Sequence, residues 1–268
     1  MEKKAKKSDF SGVFSWVAIP VAFGVALSVY LFIMGDGSHF QGGSNENQPL
    51  AGDFFGVIYK GGFIVPVLMT LLLSVITFTF ERFFAISRAS GKGNTANFLA
   101  SLKDLIAKEK LEEASALCDK QKGSVANVAK SAVAKYGELK KEADLTKEQK
   151  VVALQKEIEE VTALELPALE QNLVVIATIS TIATLIGLLG TVIGMIRAFA
   201  AMSAAGAPDS GALANGISEA LINTAFGIGT AAIAIIMYNY FTTRIDKITY
   251  SIDEVGFTIS QSYAANNK

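Results

Sequence analysis

The chain has 268 residues, 51% of them hydrophobic and only 18% charged, with a formal net charge of -1 and a mean hydropathy of +0.38. That is too apolar for an ordinary soluble domain, so the bilayer is the expected solvent. A single cysteine, Cys118, and a single histidine, His39, exclude an intrachain disulfide framework and a His/Cys metal cluster; no cofactor is expected, and Cys118 reads as a buried thiol in a reducing compartment.

A basic start at 1–7 precedes an apolar run over 13–34. About 20 such residues cross a hydrocarbon core of about 30 Å, and no small-residue cleavage site follows closely, so residues 1–34 are expected to carry an uncleaved first span. Residues 35–60, rich in Gly, Asn and Gln and containing Pro49, read as an exposed periplasmic linker with little packing. Residues 61–81 make a second span, with Pro66 tolerated near its start. Residues 82–172 hold most of the lysine and arginine. Within them Leu102, Leu105, Ile106, Leu111, Ala114 and Leu117, and then Val125, Val128, Ala129 and Val133, recur at helical spacing. The spacing predicts cytoplasmic helical hairpins, and the interleaved acids make their charge a solvated, topology-fixing face with no nucleic-acid role.

Residues 173–241 contain two further spans. The third run, from about Leu173 to Met202, exceeds what the bilayer needs, so its start is expected to project into the cytoplasm. Residues 203–214 supply a turn through Gly206 and Pro208, and the fourth run returns to Arg244 and Lys247. Four spans with both termini cytoplasmic place every basic flank inside. Over 242–268, Ile245, Ile248, Ile252, Val255 and Ile259 form an apolar seam, expected to let a C-terminal cytoplasmic helix pack on partners.

The last two spans interleave Thr178, Thr181, Thr184, Thr191, Asn223, Thr224 and Thr230 with glycine and alanine. At about 100° per residue, Thr184 and Thr191 fall within about 20° of one another, and Glu219 and Asn223 within about 40°. Each helix thus has a polar face suited to ion movement. Glu219 weighs most, since a carboxylate in a span marks an ion path, a buried partner or an interfacial position. Each threonine can also satisfy itself on the carbonyl one turn earlier. Gly187, Gly190 and Gly194 let a neighbouring helix approach closely. Arg197 can pair with Glu219 or snorkel to the headgroups, and snorkelling is the expected role.

The blocks GLLGTVIGMIRAF at 187–199 and NGISEALINTAFGIGTAAIAIIMYN at 215–239 resemble the two signature helices of the ExbB/TolQ/MotA proton-channel family, most closely those of ExbB. LEEASALCDKQKGSVANVAKSAV at 111–133 is similar to the family's cytoplasmic hairpin. The resemblance implies an all-α, polytopic, ring-forming membrane protein with four transmembrane helices, the N-terminal one being additional to the family's three. It implies Thr191, Glu219 and Thr224 as channel residues, and the polar faces read from helical spacing add Thr184 and Asn223 to the expected lining. It also implies a pentamer in the bacterial inner membrane, among phospholipids, around an ExbD-like single-span partner whose membrane aspartate carries the proton. No aspartate lies in the apolar part of any span, so that relay has to come from the second protein, which would energise a TonB-like protein. Arg197 departs from the neutral residue common at its position.

A TolQ-like role in envelope integrity fits one chain equally well, and sodium stays open beside the proton. A gliding or flagellar stator is disfavoured by the modest cytoplasmic insert. A non-conducting scaffold would use the same small residues. An enzyme would need a convergent set of catalytic groups that this sequence lacks.

Overall fold

The computed structural model describes residues 2–204 and 210–266. In chain order it contains α1 (Glu2–Ser28), α2 (Phe54–Tyr59), α3 (Ile64–Ala89), α4 (Thr95–Ala107), α5 (Leu111–Gln121), α6 (Gly123–Lys141), α7 (Lys147–Glu170), α8 (Leu173–Ala204) and α9 (Ser210–Asn266). Among the described residues there is no strand, only one antiparallel bridge between Phe40 and Pro49. Four helical stretches among the described residues are long and apolar enough to cross a membrane: Trp16–Met34, Ile64–Ala89, and those ending in α8 and α9. Of the expected turn at 203–214, residues 203 and 204 belong to α8 and those from 210 onward to α9; Gly206 and Pro208 lie outside the described residues.

The chain forms two compact units, one of residues 1–80 and 172–238, the other of 81–171 and 239–268. In the first, α1 passes into a π-helical turn, Val29–Met34. Ala26, Tyr30, Met34, Ile58, Val65 and Met69 close a core there, with Phe226 of α9 packed against it. At about 1.5 Å per residue the 32 residues of α8 reach about 48 Å, beyond a core of about 30 Å.

Residues 35–60 correct the expectation of a loose linker. Phe40 and Ile58 are buried, and Tyr30 stacks on Tyr59 with centroids 4.6 Å apart while donating its hydroxyl to the Tyr59 carbonyl at 3.1 Å. Asn45 Nδ2 donates to the Gly35 carbonyl and the Tyr59 hydroxyl, each at 3.2 Å. Lys60 donates to the carbonyls of Asn45 and Glu46, both at 3.0 Å, and burial holds its ammonium below the usual lysine range. Asp53 caps α2 by accepting from the Gly56 amide at 2.8 Å and meets His39 Nδ1 at 2.8 Å. Polar composition suggested solvent, but here these side chains satisfy one another and the backbone.

In the second unit, α7 starts on a capping box in which Thr146 and Gln149 bond each other's backbone amides. It ends on Arg82, nearly buried, whose Nη1 donates to the carbonyls of Ala168 at 3.4 Å and Leu169 at 3.2 Å; a guanidinium suits the negative end of a helix. Leu102, Ile106, Ala114, Val128, Ala129 and Leu154 are fully buried. So are Ile252, Val255, Ile259 and Tyr263 of α9, with Ile245 and Ile248 nearly so. The Tyr136 and Tyr263 rings meet edge to face at 4.7 Å, and Asn266 reaches the Ile106 carbonyl and the Tyr136 hydroxyl. The C-terminal seam therefore corrects a second expectation. It packs inside the chain's own unit and is not left for partners, because the hairpin helices offer an apolar face of their own.

Candidate functional site

Helices α8 and α9 approach through a stripe of small residues. On α8, Ala183, Gly187, Gly190, Gly194 and Ala198 are buried, and on α9 so are Gly216, Ala220, Asn223 and Gly227. A Cβ on Gly194 would lie 2.8 Å from the Gly216 carbonyl oxygen, and one on Gly187 would lie 2.9 Å from that of Asn223. On Gly190 it would meet the Asn223 side chain at 2.5 Å. All three glycines face α9, where a side chain would hold the helices apart.

Close approach brings two polar pairs together. Thr191 and Thr224, both half-buried, bond hydroxyl to hydroxyl. Thr224 Oγ1 is 3.1 Å from the Ala220 carbonyl, and Thr191 Oγ1 is 3.3 Å from the Gly187 carbonyl and 3.5 Å from that of Ala220. Each hydroxyl has one proton and two lone pairs, so these acceptors outnumber the protons. Rotating the two O–H bonds reverses the direction of donation without creating charge. The second pair joins Arg197 Nη1 to Glu219 Oε1 at 2.7 Å, with the arginine side chain 51% exposed and the glutamate 11%.

Arg197 thus takes the pairing role that the sequence reading places second to snorkelling. A charge-assisted bond outweighs solvation where the carboxylate is largely shut off from water. Glu219 and Thr224, about 140° apart on one helix, thus engage different residues of α8. Asn223 is fully buried and donates to the Gly61 carbonyl at 2.9 Å, while its Oδ1 has no partner among the described residues. Thr184 is exposed and bonds back to Ser180 at 3.4 Å, as Thr178 does to Val174 at 2.7 Å. Thr230 is buried with its hydroxyl unpartnered among the described residues. No group of three or more His, Cys, Asp or Glu there is placed to hold a metal ion.

Sequence reasoning missed the part played by residues 61 and 62. A Cβ on Gly62 would lie 2.5 Å from Glu219 Oε1, and Gly61 supplies the acceptor for Asn223. A Gly-Gly step before an apolar run carries no signal of contacts more than 150 residues away.

A family model described as the MotA/TolQ/ExbB proton channel family matches residues 120–254, just over half of the chain. The chain belongs to the MotA/TolQ/ExbB proton channel family. No curated protein matches it. The stretch matched to the MotA/TolQ/ExbB model contains Thr191, Arg197, Glu219 and Thr224, hence both polar pairs, whereas α1, residues 35–60 and α3 lie outside it. Both polar pairs of this multi-pass membrane protein thus lie within the stretch that matches its proton-channel family.

Proposed function

We propose that the chain is the ExbB-like subunit of an inner-membrane motor that couples the proton motive force, through an ExbD-like single-span partner, to a TonB-like protein serving outer-membrane transport. The subunit would form a pentamer with both termini in the cytoplasm. It would perform no covalent catalysis and would hold no cofactor. The hydroxyl pair of Thr191 and Thr224 supports this reading most directly. Two hydroxyls that can reverse their donation are suited to exchange hydrogen bonds with a protonatable aspartate brought by the partner.

The test is proton uptake by vesicles carrying the complex with its partner. Thr191→Val keeps the side-chain shape and removes the hydroxyl; if one hydrogen bond of about 1.4 kcal/mol is lost from the transition state, flux falls about tenfold. Glu219→Ala is expected to impair flux as well. Wild-type flux in both variants would sink the channel reading. The ring without its partner should assemble and conduct poorly, since no aspartate lies in its apolar spans. Scoring a deletion strain for outer-membrane uptake and for envelope integrity separates this role from a TolQ-like one.

A further inference from the structure

Three consecutive residues, Gly61, Gly62 and Phe63, meet the polar side chains Asn223, Glu219 and Arg197 of α8 and α9. The Gly61 carbonyl accepts from Asn223 Nδ2 at 2.9 Å. Gly62 lies against Glu219, where a Cβ would sit 2.5 Å from Oε1 and 3.5 Å from Arg197 Nη1, and its φ of +75° favours glycine independently. Phe63 presents its ring to Arg197, whose Cζ is 5.3 Å from the centroid, within range of a cation–π contact.

The turn is itself held from below. The Gly61 amide donates to the Ile58 carbonyl at 2.9 Å and the Gly62 amide to that of Tyr59 at 3.1 Å. Ile58 is seated in the core shared with Tyr30, Met34 and Val65, and Tyr59 packs against it. The N-terminal span and residues 35–60, which lie outside the family match, thereby carry a fixed surface to the site.

We propose that the turn at 61–63 is a positioning element for the ion path, and that Phe63 acts through Arg197, holding its guanidinium where it bonds Glu219. This rests on the channel reading above. Phe63 is 56% exposed, so its ring contributes little to the core. Arg197 is half-exposed and has a long side chain with costly rotamer freedom; the ring restricts it. Glu219 alone would be free to hold another cation or to turn away.

The experiment measures proton uptake, with an interior pH-sensitive dye and an imposed potassium diffusion potential, in vesicles carrying the complex with its partner. Flux by the unsubstituted complex tests the channel reading separately. Given that flux, Phe63→Leu is expected to lower it about two- to five-fold, the rate equivalent of an exposed cation–π contact. Phe63→Trp should keep it near the wild-type level. In an Arg197→Gln background, Phe63→Leu should have no further effect, because its partner is already gone. Wild-type flux in Phe63→Leu, a loss in Phe63→Trp equal to that in Phe63→Leu, or an undiminished loss in the Arg197→Gln background would each overturn the proposal. The last outcome is what a general disturbance of folding would give.

Discussion

A threonine in an apolar helix has a carbonyl one turn back to satisfy it, and Thr178 and Thr184 go no further than that. Thr191 and Thr224 reach a second hydroxyl because glycine and alanine on both helices let the backbones close in around them. Burial acts in the opposite sense on Cys118, whose thiol is pushed up to about 11, chiefly by desolvation. A raised thiol pKa leaves little thiolate near neutrality. Iodoacetamide is therefore expected to alkylate folded Cys118 about two orders of magnitude more slowly at pH 8 than an unfolded thiol of pKa about 8.5. The rate should go on rising about tenfold per pH unit to near pH 10. Saturation near pH 9, read by mass spectrometry of the intact protein, would contradict the buried state.

The element that organises the site is the contact of α8 with α9, and its glycines are not equivalent. Gly194 faces the Gly216 carbonyl and the Ala220 backbone, whereas a Cβ on Gly229 would meet nothing within 4 Å. Gly194→Ala is expected to cost about 1–3 kcal/mol through forced separation of the helices. Gly229→Ala should leave stability unchanged or slightly improved, since alanine is the better helix former. Thermal unfolding of the two variants in one detergent makes the comparison. Much of this element was legible beforehand, because the spacing of Gly187, Gly190 and Gly194 states a close-packing face directly. The segment at 35–60 was not legible. Its order comes from bonds such as those of Asn45 to Gly35 and Tyr59, and no local periodicity announces a polar network.

For the molecule as a whole, α9 serves both compact units, lining the site in one and filling the core of the other. Along it the buried stripe changes from Gly216, Ala220 and Gly227 to Phe241, Ile245, Ile252 and Ile259. Ile252→Ala removes a fully buried side chain and is expected to cost about 2–5 kcal/mol, read as earlier unfolding of the full chain with no change in oligomer size. Loss of oligomers at unchanged stability would instead restore the seam to a partner surface. The resemblance of two sequence blocks to a channel family singled out Thr191, Glu219 and Thr224, whereas the sequence alone determined the membrane class, the four apolar helices and the glycine face. These depend on composition and on periods within one helix, which any local stretch displays. Only the tertiary structure decided that Arg197 pairs with Glu219, that Asn223 is spent on Gly61, and that the last helix is covered by its own chain. Each is a contact between residues distant in sequence, chosen by which groups the packing leaves without water.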